Sequence, residues 1–212
     1  KETRKVYFLK THNVYGAYKG NNFTTPEFTL GAINIVRDPR NVITSLMNHY
    51  SINEEEALKM LSSVHRNLKD RIDKNDYSNY SFISSWAKNY KSWKISQNIN
   101  KLLIRYEDLE NNRVKTFSEI LDFTNKLMKN GQQINKQKLE KSIKTTDFDI
   151  LKNKEKKEGF DEAVYSEDLV NKKPFFNLGK KNNYKKLLKT KTIKSIEKIF
   201  ENEMKELGYL WY

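Results

Sequence analysis

Two short segments of the sequence combine residue types that can carry out acid–base and anion-binding chemistry. In the first, Lys10-Thr11-His12, the histidine follows an apolar run at residues 6–9 that predicts a buried strand. Histidine is the natural general base near neutral pH, and Lys10 projects to the same side of an extended chain as His12. A lone histidine beside a lysine more often has a structural role than a catalytic one, so the segment alone does not define a catalytic site.

The second segment, residues 37–45, has the pattern of an anion-binding junction between a strand and a helix. Residues 31–36 predict the strand, and Pro39 marks the turn into the helix. Backbone N–H groups at a helix start attract anions. Arg37 at the strand end can bind a phosphate through two hydrogen bonds, and Ser45 adds a hydroxyl. An arginine at a strand end more often forms a surface ion pair, so the pattern is a candidate site only.

Hydrophobic periodicity and helix-start signals organise the rest of the sequence. Residues 102–106 predict a third strand. Asn53 followed by three glutamates predicts a helix start, because asparagine is a good cap and acids suit the positive end of the helix dipole. The predicted helices cover residues 53–68, 80–97, 114–128 and 189–207. The charged segment 152–171 predicts a long mobile surface loop. This alternation favours a three-layer α/β domain with a central parallel sheet flanked by helices.

The composition limits the class of protein. A net charge of +13 suits an anionic partner, but the basic residues are mostly dispersed lysines, so nucleic-acid binding is not predicted. No apolar stretch approaches the roughly 18 residues of a membrane helix, and residues 1–10 lack the pattern of a signal peptide. The absence of cysteine excludes disulfides. The sequence predicts one soluble, cytoplasmic domain over residues 1–212, with no membrane partner.

Taken together and in order, these motifs resemble those of the PAPS-dependent sulfotransferases of the soluble type. PAPS is 3′-phosphoadenosine 5′-phosphosulfate, and its product after sulfuryl transfer is PAP. The resemblance covers essentially all 212 residues. Its motifs here are Lys10-Thr11-His12, Arg37 with Ser45, Ser85-Trp86 with Trp93, Tyr106-Glu107-Asp108-Leu109, Thr146-Asp147-Phe148, and residues 175–179 with Tyr184-Lys185. It implies a central parallel sheet similar in architecture to that of nucleotide kinases.

The resemblance assigns roles in catalysis and in phosphate binding. It implies that His12 is the general base, which takes a proton from the hydroxyl or amine of a small-molecule acceptor. Lys10 then stabilises charge near the transferring group. Arg37 and Ser45 hold the 3′-phosphate that distinguishes PAPS from simpler nucleotides. No metal is required, and none of the three histidines has metal-ligand spacing.

The resemblance also implies an adenine site and a closing segment. Tyr106 contacts the adenine, and Thr146 begins a segment whose Phe148 packs on the adenine ring. Both aromatic side chains are equally compatible with an ordinary core role. Gly179 ends the phosphate-binding segment, where the absence of a side chain permits close approach of the backbone.

The sequence departs from the family pattern in two of these motifs. The closing segment, Arg-Lys-Gly in the family, reads Asn177-Leu178-Gly179 here, so both cations are lost. Lys180 or Lys181 can replace them, with a less specific geometry than arginine provides. The family's Trp-x-x-His helix reads Trp86-Ala87-Lys88-Asn89, so its histidine is also missing.

The family's phosphosulfate loop, Pro-Lys-Ser-Gly-Thr-Thr, matches none of the seven glycine positions in the sequence. The nearest candidate, Lys19-Gly20-Asn21, follows the Lys-Thr-His segment when it should precede it. We therefore expect that the first strand, this loop and the first helix of the domain are absent from the 212 residues. Such a chain would hold half of the cofactor.

Two other functions remain compatible with the sequence. One is an inactive module that binds PAP or another nucleotide, or a protein partner, and has lost turnover. The other is a basic protein that binds a polyanion such as a sulfated polysaccharide. The sequence identifies neither the acceptor nor the oligomeric state.

Overall fold

The computed structural model of the protein describes residues 5–68, 80–160 and 174–211. Its strands are β1 (Ala17–Tyr18), β2 (Asn21–Asn22), β3 (Ala32–Val36), β4 (Asn67–Leu68), β5 (Ser81–Phe82) and β6 (Lys101–Arg105). Its helices are α1 (Pro39–Tyr50), α2 (Glu54–Ser62), α3 (Trp86–Ile95), α4 (Tyr106–Asn111), α5 (Arg113–Met128), α6 (Lys136–Thr145), α7 (Phe148–Glu158), α8 (Tyr184–Leu187), α9 (Thr190–Ile199) and α10 (Glu201–Glu206). A short 3₁₀ helix, Gly179–Lys181, precedes α8.

The centre of the fold is a parallel pair of strands flanked by helices, which confirms the predicted α/β class. β3 and β6 run parallel in register from Ala32 opposite Lys101 to Val36 opposite Arg105. Both strands therefore end at the same edge, where α1 and α4 begin. β1 with β2, and β4 with β5, form small antiparallel pairs. The sheet thus brings two of the predicted motifs, at Arg37 and at Tyr106, side by side.

The strand predicted at residues 6–9 is wrong. The segment is irregular, and its apolar side chains are exposed, with Leu9 at 89% of its maximum and Phe8 at 75%. A strand requires a hydrogen-bonded neighbour, and within the described part of the chain no strand pairs with this segment. An apolar run alone is therefore insufficient evidence for a strand.

The largest part of the core lies between α1, α2 and the C-terminal helices. Its buried members are Ile43, Leu46, Ala57, Leu61, Leu188, Ile196, Phe200, Met204 and Leu210. The predicted start of α2 is confirmed, because Asn53 and Glu56 form a reciprocal capping box. A smaller cluster of Val36, Tyr90 and Leu207 joins β3 to α3 and to the end of α10. The end of β3 is thus attached to the core on which the candidate site is built.

Several predicted boundaries differ from the structure. The last predicted helix is two helices, α9 and α10, with a break at Phe200, which is 2% exposed and lies in the core. The loop predicted from residue 152 is wrong up to Glu158, because α7 continues to that residue. Residues 161–171 of that prediction lie outside the described residues. The helix predicted from residue 80 begins at Trp86, since Ser81 and Phe82 form β5 instead.

Candidate functional site

The junction between β3 and α1 is formed by residues suited to a sharp start of a helix. Asp38 is the N-cap, and its carboxylate accepts a hydrogen bond of 2.9 Å from the Arg40 N–H. Pro39 follows at the first helical position, where its missing N–H costs nothing. Arg37 therefore lies directly between the strand end and the capped helix, as the sequence predicts.

Arg37 is held on two sides, through its carbonyl group and through one face of its guanidinium. Its carbonyl accepts a hydrogen bond of 3.0 Å from the indole N–H of Trp86. Its guanidinium carbon lies 4.2 Å from the centre of the Tyr106 ring, a cation–π contact. The buried Nε has no hydrogen-bond partner among the residues that the structure describes. Buried donors are nearly always paired, so this N–H is suited to an acceptor on a ligand.

Arg40, three residues further on, has a structural role. It is 6% exposed and forms an ion pair with Asp38 at 2.7 Å and another with Glu197 at 2.6 Å. Its Nη2 also donates to the Tyr209 carbonyl at 2.9 Å. Burial on its own lowers the pKa of Arg40, but the hydrogen bonds and charge of Asp38 outweigh that effect and raise it. Arg40 thereby ties the C-terminal residues to the base of the site.

Ser45 lies on the second turn of α1, half-buried. Its hydroxyl donates to the Asn41 carbonyl at 3.2 Å, and it accepts a hydrogen bond of 3.2 Å from Nδ2 of Asn182. Asn182 follows the 3₁₀ helix of the closing segment, 137 residues away in sequence. The structure therefore brings the closing segment against α1 through Asn182, a residue that was not predicted from the sequence.

Tyr106 connects Arg37 to the third element of the site. Burial raises the pKa of Tyr106, and the nearby Glu110 carboxylate raises it further. Arg113 is close enough to act on Tyr106 electrostatically, and it forms an ion pair of 3.1 Å with Asp147. The N–H of Asp149 and, to a smaller extent, Arg113 hold the pKa of Asp147 below its usual value. This chain of contacts joins the Tyr106 motif to the Thr146-Asp147-Phe148 segment.

Phe148 packs directly on Gly179. A Cβ atom built on Gly179 would lie 2.6 Å from the Phe148 ring, and Gly179 has a φ of +52°. Both observations require glycine at this position. The hydroxyl of Thr146 is used elsewhere, because it donates to the Ser142 carbonyl at 2.8 Å at the end of α6. The structure therefore joins Phe148 and Gly179, while Thr146 is an exposed helix-ending residue.

The two positions that lack the family's cations line a cleft beside α1. Asn177 and Leu178 face Thr44, Met47, Asn48, Ile52 and Leu187 around a cleft of about 300 Å³. The Asn177 carbonyl accepts a hydrogen bond of 2.7 Å from the Lys152 ammonium. Of the two candidate replacements, Lys180 is close enough to Asp147 for its charge to help lower the pKa of that carboxyl. Lys180 thus lies near the Phe148 side of the site.

Lys10 and His12 lie on the irregular segment, and their side chains are exposed. Helix α3 holds this segment through side chains: Asn89 Nδ2 donates to the His12 carbonyl at 3.1 Å, and the Trp93 indole donates to the Asn13 carbonyl at 2.9 Å. In the sequence, Asn89 is distinguished only as the position where the family has a histidine. Its contact with His12 spans 77 residues and has no signal in the sequence.

Helix α3 is therefore common to both candidate groups. Trp86 near its start binds the main chain of Arg37, and Asn89, three residues later, binds the main chain of His12. The first group comprises Arg37, Ser45, Tyr106, Phe148 and Gly179, and the second is the Lys10–His12 segment. This arrangement fixes the backbone of a candidate base and of a candidate phosphate ligand on one rigid element.

Two further properties follow from the described residues. None of the helices in residues 5–68, 80–160 and 174–211 is long and apolar enough to cross a membrane. Within the same ranges, His, Asp and Glu side chains form no group of three or more that could hold a metal ion. The expectation that no metal takes part stays a prediction.

The fold and the contacts define an α/β domain whose parallel strand β3 ends at Arg37, directly before the capped helix α1. Residues 2–208 match the family model for the sulfotransferase domain, and the chain therefore belongs to that family. A search of curated proteins finds no match.

Solved structures of a sulfotransferase and of retinol dehydratase are similar to this chain in fold. One is mouse sulfotransferase SULT7A1 complexed with PAP, with 19% identity, coverage of 84% of this chain and 59% of that chain, and a TM-score of 0.56. Another is retinol dehydratase in complex with androsterone and inactive cofactor PAP, with 17% identity, 82% and 47% coverage, and a TM-score of 0.56. Its complex with retinol and PAP gives 17% identity, 82% and 48% coverage, and a TM-score of 0.55. The chain thus spans 47% to 59% of the length of these structures.

Proposed function

We propose that the protein is a sulfotransferase that uses PAPS to transfer a sulfuryl group to a hydroxyl or amine of a small acceptor. Membership of the family supports the reaction class, and the PAP named with its structural neighbours supports the donor. The observation on this chain that carries the proposal is the buried Nε of Arg37, which has no partner among the described residues. The N–H lies at a strand end beside a capped helix start, where anions bind.

Arg37 and Ser45 hold the 3′-phosphate in this proposal. The Tyr106 ring covers one face of the guanidinium, which leaves the donors on its edge to form two parallel hydrogen bonds with phosphate oxygens. Ser45 adds a hydroxyl from the second turn of α1. Phe148, fixed against Gly179, is the candidate to pack on the adenine. These residues recognise the nucleotide half of the donor.

His12 and Lys10 act on the acceptor side. PAPS supplies the activated sulfuryl group when it is bound. His12 accepts the proton of the acceptor hydroxyl or amine while the acceptor atom forms its bond to sulfur. The bond from sulfur to the 5′-phosphate oxygen breaks, and the electron pair leaves with PAP. Lys10 offsets the negative charge at that oxygen. Asn89 holds the His12 main chain, so the base is positioned by α3.

Transfer also requires a lysine-containing phosphosulfate loop, which the 212 residues do not include. We infer that these residues bind PAP and do not turn over on their own. A form of the protein that includes such a loop is expected to be active on some acceptor. Turnover by the 212-residue chain alone would contradict this account of the active site.

Calorimetric titration with PAP, at low and at high salt, tests the proposal. If the protein has a specific nucleotide site, PAP should bind saturably with one molecule per chain, and high salt should weaken this binding only moderately. Binding of heparin that falls steeply with salt and does not compete with PAP would favour the polyanion-binding alternative. PAP binding without turnover, in a form that has the phosphosulfate loop, would identify an inactive nucleotide-binding module.

A further inference from the structure

Asn182 contacts the proposed 3′-phosphate site from the closing segment. Its Nδ2 lies 3.2 Å from the Asn41 carbonyl oxygen and 3.2 Å from Ser45 Oγ. The hydroxyl of Thr44, which is 5% exposed, donates to its Oδ1. One neutral side chain thereby bonds to positions 41, 44 and 45 in the first two turns of α1.

These contacts determine the orientation of the amide. The Asn41 carbonyl can only accept, so the amide nitrogen faces it and the amide oxygen faces Thr44. Ser45 consequently receives a hydrogen bond on its oxygen. Its own proton is directed at the Asn41 carbonyl, which Asn182 also satisfies. The Ser45 proton can therefore turn towards an anion, because the half-buried Asn41 carbonyl keeps its hydrogen bond from Asn182.

The rest of the closing segment is docked beside Asn182. The N–H of Tyr184 donates to the Asn41 side-chain oxygen at 3.0 Å, and the Arg40 guanidinium lies 4.3 Å from the Tyr184 ring centre. These contacts join the segment to the same first turns of α1. They depend on neutral or internally paired groups, so the docking requires no phosphate.

We propose that Asn182 is a positioning residue for the 3′-phosphate, and this inference rests on the proposed function. Its amide donates to Ser45 Oγ, which leaves the Ser45 proton to bind the phosphate. The same hydrogen bond strengthens the Ser45 hydroxyl as a donor, because hydrogen bonds in series polarise one another. The protein thus uses a neutral amide next to the phosphate site, while the neighbouring positions Asn177 and Leu178 carry no charge.

The substitution Asn182→Asp tests this role with almost no change in shape. A carboxylate oxygen in place of the amide nitrogen would accept the Ser45 proton and place a negative charge beside the phosphate. We expect PAP affinity to fall by about tenfold or more. Affinity for adenosine 5′-phosphate, which lacks the 3′-phosphate, is expected to stay within about twofold, since Ser45 binds only the 3′-phosphate in this proposal.

The matched control is Asn183→Asp. It introduces the same charge one residue away, on an exposed side chain that caps α8 by accepting from the Lys185 N–H. Aspartate caps a helix as well as asparagine does, so the fold is preserved. PAP affinity is expected to change little. Equal losses in the two variants would mean that net charge, and not the contact with Ser45, is responsible, and would overturn the inference.

A second measurement separates positioning from docking. This measurement uses Asn182→Ala, which also replaces Asn182→Asp if that variant fails to fold. PAP binding is measured for Asn182→Ala, for Ser45→Ala and for the double variant. A positioning role predicts that Asn182→Ala weakens PAP binding when Ser45 is present and has little further effect when Ser45 is alanine. Equal losses for PAP and adenosine 5′-phosphate would show a purely structural role and overturn the inference. If the unsubstituted protein binds no PAP, the proposed function itself fails, and the inference fails with it.

Discussion

The guanidinium carbon of Arg37 lies 4.2 Å from the centre of the Tyr106 ring. The two residues directly follow different parallel strands and meet because β3 and β6 end at the same edge in register. The ring supports one face of the cation, and the buried Nε remains available to a ligand. A pair of residues 69 positions apart in sequence thus forms the centre of the candidate site.

Replacement of Tyr106 by leucine tests whether the ring supports Arg37 or contacts the adenine. A cation–π contact is worth about 0.5–2 kcal/mol, so Tyr106→Leu is expected to weaken PAP binding by that amount. Adenosine 5′-phosphate should be nearly unaffected if the ring acts through Arg37. Tyr106→Phe keeps the ring face and serves as the control. If calorimetry showed equal losses of affinity for both ligands, the result would instead support direct contact between Tyr106 and the adenine.

Gly179→Ala tests the contact that closes the site. The new methyl group would meet the Phe148 ring at 2.6 Å, and the residue would have to keep a φ of +52°. We expect a loss of about 1–3 kcal/mol in the free energy of unfolding, measured by denaturant titration. Gly131→Ala is the matched control, because Gly131 has a φ of +61° but open space around it.

The difference between the two glycine variants isolates the steric contact. Backbone strain in the left-handed region costs about 1–2 kcal/mol in either variant, and only Gly179→Ala adds the clash. The double substitution Gly179→Ala with Phe148→Leu should recover part of the loss. Identical effects of Gly179→Ala and Gly131→Ala would show that Phe148 does not pack on Gly179 as described.

The local parts of this architecture were predictable from the sequence, and the long-range parts were not. The start of α1 follows from Pro39, and the start of α2 from Asn53, because both signals act on neighbouring residues. The strand at residues 6–9 was predicted wrongly, since an apolar run does not specify a pairing partner.

The candidate site shows the same division. Arg37 and Ser45 belong to a motif that is visible in the sequence, and they lie at the end of β3 and on the second turn of α1. Asn182 and Asn89 are neutral amides whose partners lie 137 and 77 residues away. No periodicity or spacing marks such a residue, because its hydrogen bonds depend on the tertiary fold. Their roles could be inferred only from the structure.

Catalysis by His12 is tested in a form of the protein that includes a phosphosulfate loop. A general base contributes about 10²–10⁴-fold to rate, so His12→Ala should lower kcat by that factor and leave PAP affinity nearly unchanged. His49→Ala and His65→Ala are controls and should keep kcat. If His12→Ala lowered only the melting temperature, and kcat per folded molecule stayed intact, His12 would be a structural residue.

Asn89→Ala provides a related test of positioning. Its amide holds the His12 carbonyl at 3.1 Å, so its loss should lower kcat less than His12→Ala does, with PAP affinity unchanged. Combined with His12→Ala, the substitution should cause little further loss of rate, because the base it positions is gone. Lys88→Ala, at the exposed neighbouring position, is the control. Independent, additive losses would contradict a role through His12.

Recognition of the 3′-phosphate by Arg37 is tested most directly with the Arg37→Ala variant. Calorimetry compares how much the substitution changes the affinity for PAP and for adenosine 5′-phosphate. Loss of a hydrogen bond to a charged group costs about 1.5–3 kcal/mol, so PAP binding should weaken by that amount. Adenosine 5′-phosphate has no 3′-phosphate, and its binding should hardly change. Equal losses for the two ligands, or no loss for either, would contradict the claim.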